Sequence, residues 1–394
     1  MQNNDYTNKT EYNSANGIGI INLQITDNYG ANLLAYATEC TVKELFPDRE
    51  VFTINAAAMP KELSRADRIK QKITAVLRKA VKYNIRMPYL YFKEKSYNKS
   101  IEKRQGARLK AFESFRCNYL NLTEKVFSAE EIKELPINTL VIGSDIVWSP
   151  SRANGEGTDM FFATGFGSDY RRISYAASLG TNDQKVLVPL KDVYRENLKS
   201  VDCISVRGPE AKAFLAPLTD KNIRIDCDPV FLLSPGRWSA LADSIAPKDE
   251  KYIFVYLIGR SNDGVRSAKK LAAEKGLKIY YCCNFAVDFK NAQNCYECGP
   301  VEFLSLIKNA EYVITNSFHS VIFSIIFKRQ FKVYSRQGQF SKLKSILDRL
   351  NLQERYSLNE SIDAPIDFDS AVEAIRLEKQ NSLNYLKNAI LGRE

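Results

Sequence analysis

One histidine, His319, serves the whole 394-residue chain, so any imidazole chemistry near neutral pH has a single possible seat. Long apolar runs are missing as well. The longest fall far short of the roughly 20 residues a bilayer-crossing helix needs. Met1 to Gly17 is polar and carries Asp5 and Glu11, without the basic and then apolar order of a signal peptide, and cytoplasmic residence is the resulting expectation. Repeats and low-complexity tracts are lacking. The eight cysteines are scattered and have no secretion context, which excludes a disulfide framework and favours reduced thiols. Cys295-Tyr296-Glu297-Cys298 has the spacing of half a zinc site, with Cys282 and Cys283 as possible completion. Adjacent cysteines do not easily share one tetrahedral ion, however, so no metal is expected.

Positive charge is plentiful but confined. Lys61 to Lys110 contains 16 Lys and Arg against 4 acids, whereas the remaining 40 basic and 42 acidic residues nearly cancel. Ile69, Ile73, Val76, Leu77, Ala80, Val81 and Ile85 recur at helical steps, with Arg68, Lys70, Lys72, Arg78, Lys79 and Lys82 on or beside the opposite face. Such a helix, followed by the aromatics Tyr89, Tyr91 and Phe92, either lies on an anionic bilayer or packs on the protein with a solvated basic rim. No nucleic-acid-binding signature accompanies it, and no nucleic-acid partner is expected.

Length favours two domains. The run Gly17 to Thr26 reads as a buried strand, Asp27-Asn28-Tyr29-Gly30-Ala31-Asn32 as a turn without the G-x-G-x-x-G dinucleotide pattern, and Leu33 to Leu45 as a helix. Further strands are expected at Thr139–Ile142, Arg172–Ala176, Cys203–Val206 and Ile223–Ile225. Pro235-Gly236-Arg237-Trp238 and Ala246-Pro247-Lys248-Asp249 mark a boundary. Beyond it strands at Tyr252–Ile258, Lys278–Cys282, Tyr312–Thr315 and Phe331–Tyr334 alternate with helices at Gly264–Lys275, Val301–Asn309, His319–Phe327 and Leu343–Leu350. This is α/β architecture with two Rossmann-like doubly wound domains facing a cleft. Residues 1–240 form the first domain, with a basic helical insertion at about 61–110. Residues 241–362 form the second, and 363–394 a helix that packs back across the interface.

Chemistry-bearing residues follow strands, where the cleft would lie. His319 opens a helix, whose free N–H groups attract anions. A lone histidine near Phe323 and Ile326 is alternatively a packed residue. Arg207 ends a strand before Gly208-Pro209, and Arg336 follows the strand ending at Tyr334. Each guanidinium either grips phosphate or carboxylate oxygens or makes a surface ion pair. Asp226-x-Asp228 has the look of a metal-nucleotide clamp, although Pro229 suggests a strand end.

Six spaced segments carry a resemblance. They are Thr26 to Leu33, Gly143 to Trp148, Ser174 to Gly180, Ile204 to Arg207, Asp228 to Leu233 with Trp238, and Thr315 to His319. Together they resemble the polysaccharide pyruvyl transferase family, over about Ile18 to Arg355 and in order. The resemblance implies a fold like the GT-B glycosyltransferases and transfer of the enolpyruvyl carbons of phosphoenolpyruvate to a sugar as a cyclic ketal. It gives His319 the acid role and Arg207 a donor-binding role. Many relatives carry arginine two residues before the histidine, where this chain has Ser317, and close ones have glycine where it has Ser320. Arg336 is then the candidate for a second donor cation.

Phosphoenolpyruvate carries a phosphate and a carboxylate, so its pocket needs fixed positive charge, expected from Arg207, Arg336 and the amides around Asn316, Ser317 and His319. An imidazolium beside a phosphate dianion keeps its proton near neutral pH and can deliver it to the methylene carbon. Asp145 or Asp27 is the candidate acceptor of a hydroxyl proton, and Asp27, Asn28, Tyr29 and Gly30 are placed at the acceptor. No cofactor beyond this donor substrate is expected. The glycan acceptor is expected to be lipid-linked, with residues 61–110 docking on the inner face of the membrane. Two other readings stay open: a nucleotide-sugar glycosyltransferase on the same fold, and a membrane-bound scaffold without catalysis.

Overall fold

The computed structural model describes residues 16–56, 88–155, 157–334, 340–356 and 362–394. Two parallel sheets organise them. The first contains β1 (Gly17–Ile21), β2 (Val51–Ala56), β3 (Leu122–Val126), β4 (Ile137–Asp145), β5 (Arg171–Ala177), β6 (Ile204–Val206) and β7 (Ile223–Ile225), in the order β3-β2-β1-β4-β5-β6-β7. The second contains β8 (Tyr252–Leu257), β9 (Lys278–Cys283), β10 (Ala292–Asn294), β11 (Tyr312–Thr315) and β12 (Gln330–Val333), in the order β10-β9-β8-β11-β12. In each, strand order reverses beside the first strand, and this opens a crevice at the carboxyl edge. The fold is GT-B-like, with two doubly wound α/β sheets.

The central strands are apolar because helices cover both their faces; β1 is buried along its whole length. One core cluster runs continuously from Ile18, Tyr29 and Leu33 beside the first sheet to Phe254 and Phe303 of the second. The helix Tyr29–Leu45 lies inside this shared core, which is why its buried residues run from Tyr29 to Val42 and not along one stripe. The helix Phe368–Ile390 returns to the first sheet. Tyr385 Oη donates to the Ser174 carbonyl at 3.0 Å, Arg171 Nε donates to the Ala389 carbonyl at 2.8 Å, and Cys227 N donates to Ser382 Oγ at 3.1 Å.

The apolar stripe expected between Ile69 and Ile85 lies outside the described residues, as does Arg336. The later part of the basic segment belongs to the helix Pro88–Tyr119, which bridges the two domains. Tyr97 Oη donates to the Cys283 carbonyl at 2.6 Å, and Arg104 pairs with Glu297 at 2.9 Å. Among the described residues no helix is long and apolar enough to cross a membrane.

Candidate active site

The strand β11 and the helix Phe318–Ile326 meet at Asn316, Ser317 and Phe318. Asn316 Oδ1 accepts from Ile258 N at 2.7 Å and its Nδ2 donates to the Ile258 carbonyl at 3.1 Å, which locks this turn to the loop after β8 at the reversal point of the second sheet. Ser317 caps the helix, its hydroxyl accepting from Ser320 N at 3.4 Å. Both side chains, expected at the donor, are thus engaged in fixing the turn that projects His319.

His319 meets the first domain on two sides. A Cβ on Gly30 would overlap the imidazole at Nδ1, so only glycine at this position of the first helical turn lets the ring sit where it does. Nε2 faces Asp228 Oδ2 at 3.5 Å, an ion-pair distance at which the hydrogen bond is not closed, and this buried nitrogen has no bonded partner among the described residues.

Asp228 is the hub. Its carboxylate is 1 % exposed. Oδ1 accepts from Val230 N at 3.1 Å, closing the turn at Pro229–Phe231, and Oδ2 accepts from Arg207 Nη1 at 3.0 Å. Burial would raise this acid, but the neighbouring His319 and then Arg207 outweigh it and hold the carboxyl down to about 2. Arg207 extends from the end of β6 and stacks its guanidinium over the Phe318 ring at 5.2 Å, so each domain supplies a wall.

A cavity of about 340 Å³ opens at this cluster, lined by Ser178, Leu179, Gly180, Arg207, Gly208, Asp228, Phe231, Phe318 and Arg349 among others. The Ser178-Leu179-Gly180 loop is positioned by β4, since Ser178 N donates to the Asp145 carbonyl at 2.9 Å. Asp145 itself stands at the strand end with φ 66° and does not line this cavity. Neighbouring Gly143 has φ 137°, and a Cβ there would overlap the Tyr175 carbonyl.

The acceptor residues expected from the sequence take other places. Tyr29 is fully buried, stacked on Phe303 at 4.2 Å with its hydroxyl donating to the Cys298 carbonyl at 2.8 Å, so it offers no surface to a sugar. Asn28 caps the helix Tyr29–Leu45. Asp27 pairs with Arg108 at 3.0 Å and accepts from Gln105 at 3.2 Å. Arg108 also donates to the Tyr29 hydroxyl at 2.8 Å and the Tyr296 carbonyl at 2.7 Å. Gly30 alone reaches the candidate site. Cys282 and Cys295 are buried, the Cys282 thiol donating to the Cys295 carbonyl at 3.0 Å, and among the described residues no three His, Cys, Asp or Glu side chains gather as a metal-holding set.

Sequence reasoning missed Asp228 as the partner of His319, although it flagged the Asp226-x-Asp228 pair. It also missed Arg349, whose only signal is a base in the last turn of the amphipathic helix Phe340–Arg349.

Comparison with known proteins fits these findings. A family model described as polysaccharide pyruvyl transferase matches residues 28–337. No curated protein shows significant similarity. A solved structure of a putative UDP-N-acetylglucosamine 2-epimerase from Listeria monocytogenes superposes with a TM-score of 0.53 at 9% identity, covering 97% of this chain and 98% of that one. This likeness shows the fold alone. The Neisseria meningitidis UDP-GlcNAc 2-epimerase bound to UDP-GlcNAc is similar at a TM-score of 0.49 and 7% identity, covering 96% and 100% of the two chains.

Proposed function

The chain belongs to the polysaccharide pyruvyl transferase family, and from that premise we propose that it moves the enolpyruvyl carbons of phosphoenolpyruvate onto two hydroxyls of a glycan precursor, forming a pyruvate ketal and releasing phosphate. The observation that carries this reading is the Asp228 carboxylate, which lines one cavity together with Arg207 and stands 3.5 Å from the single imidazole, although His319 itself does not line that cavity.

The chemistry follows from that arrangement. His319 stands 3.5 Å from the Asp228 carboxylate, and that places it as the proton donor of this reaction. It delivers its proton to the methylene carbon of the donor as a sugar hydroxyl attacks the central carbon, where positive charge develops. The attacking hydroxyl gives up its proton, the second hydroxyl displaces phosphate, its own proton leaving with the phosphate, and the ring closes. Arg207 is placed to meet one anionic group of the donor. Arg349, on the cavity wall and paired with Glu378, is the candidate for the other, the role that Arg336 was expected to fill. Gly30 serves by leaving room for the imidazole, whereas Asp145, the base expected from the sequence, stands outside this cavity and is given no step. The acceptor is a sugar of a cell-surface polysaccharide.

Incubation of the protein with phosphoenolpyruvate and candidate galactose or hexosamine glycans, followed by mass spectrometry, tests the reading. Appearance of the ketal's added mass with stoichiometric phosphate supports it. Phosphate release without a modified glycan, or a glycan modified equally from a sugar nucleotide, would refute it.

A further inference from the structure

A second concavity adjoins the reaction cavity and differs from it in kind. It measures about 280 Å³ and lies between the turn after Asp228, the far end of the His319 helix and the helix Phe368–Ile390. Phe231, Ile325, Val372 and Ile375 form apolar walls, and Arg376 and Lys379 stand on the last of these helices at its margin. Phe231 belongs to both concavities, one of its neighbours being the ionic cluster and the other this groove.

Two features point to an occupant. Val372 is 38% exposed on the groove wall, an apolar surface that water covers when nothing else does. Lys379 is half-buried, and among the described residues it makes no hydrogen bond or ion pair, whereas Arg376 beside it pairs with Glu373 at 2.8 Å. Burial lowers the Lys379 ammonium from its ordinary value and the nearby Glu44 carboxylate only partly offsets this, a cost that an anion in contact would remove. An apolar trough with an unpaired ammonium at its rim matches an aliphatic chain that ends in a phosphate.

We infer that this groove binds the phosphate end and first carbons of a lipid glycan carrier, so that a sugar on the carrier reaches past Phe231 into the reaction cavity. The carrier's role as acceptor rests on the pyruvyl-transfer reading; the groove's affinity for an anionic amphiphile does not. The membrane contact thereby falls to a groove beside the site, and the Arg104 and Arg108 end of the basic segment is left to join the domains.

Calorimetric titration with octyl phosphate, kept below its micelle-forming concentration, tests the inference without any turnover. Butyl phosphate, octyl glucoside and inorganic phosphate are run beside it. Octyl phosphate should bind at least about tenfold more tightly than butyl phosphate, since each buried methylene adds roughly fourfold and burial of two of its four extra methylenes is enough for that. Lys379→Ala should weaken octyl phosphate about tenfold and leave octyl glucoside unchanged, and Val372→Glu should abolish both. Absence of saturable octyl phosphate binding, binding indifferent to both substitutions, or binding matched by inorganic phosphate would each overturn the groove assignment. Octyl phosphate binding in a protein that forms no ketal would sink the pyruvyl-transfer reading and leave the groove standing.

Discussion

Two aspartates follow strands of the first sheet, and each is held by an arginine at the junction with the second domain, yet they end in opposite states. Asp27 meets Arg108, whose donors are spent on Asp27, Tyr29 and the Tyr296 carbonyl while the rings of Tyr29, Phe112 and Tyr296 enclose the guanidinium within 5.0 Å. Asp228 meets Arg207 and His319, but the histidine contact stays open and the cluster faces a cavity. A saturated ionic cluster fastens the domains. An unsaturated one beside empty space has capacity left for a ligand.

This contrast can be broken experimentally. The largest effect on folding is expected from Arg108→Ala, which strands a buried hydroxyl and a carbonyl at the domain junction and should cost about 3–5 kcal/mol in denaturant unfolding. Arg207→Lys keeps a cation on the buried Asp228 carboxylate, so it should leave unfolding far less changed while weakening donor binding, and destabilisation equal to that of Arg108→Ala would erase the distinction. Gly30→Ala comes next. Its methyl must displace the imidazole, so turnover should fall on the order of 100-fold for about 1–3 kcal/mol of stability. A smaller and pH-confined effect belongs to Asp228→Asn. The Asp228 carboxyl is depressed in the folded protein to about 2, so its stabilisation is present above its unfolded pKa and is lost as pH falls toward 2. Acid unfolding between roughly pH 4 and 2 should therefore flatten in the variant, by an amount on the order of 2 kcal/mol. The smallest is Tyr97→Phe, which deletes one interdomain hydrogen bond and should cost about 1 kcal/mol.

The central strands β1, β4, β8 and β11 are legible in the sequence because burial on both faces leaves unbroken apolar runs. The edge strands β3, Leu122–Val126, and β10, Ala292–Asn294, are not, since strands partly open to water need no such run. His319 and Arg207 are legible because they directly follow strands. The contact between His319 and Asp228 joins different domains, and periodicity carries no information about such pairings. Arg108 misleads for the same reason. Its place in a basic stretch suggests an outward charge, whereas its partners come from the loop after β1 and from Tyr296 in the other domain. Asn316 and Ser317 have the polarity of ligand contacts, but their short side chains satisfy backbone groups that the strand-to-helix turn would otherwise leave unpaired.

The central claim is that His319, placed beside Asp228, supplies the proton for transfer. Its most direct measurement is acceptor-dependent phosphate release from phosphoenolpyruvate by wild type and by His319→Ala, with thermal unfolding recorded on the same samples. A fall of about 100- to 10,000-fold is predicted in a variant that still unfolds cooperatively above the assay temperature. Turnover in His319→Ala within a few-fold of wild type would contradict the account.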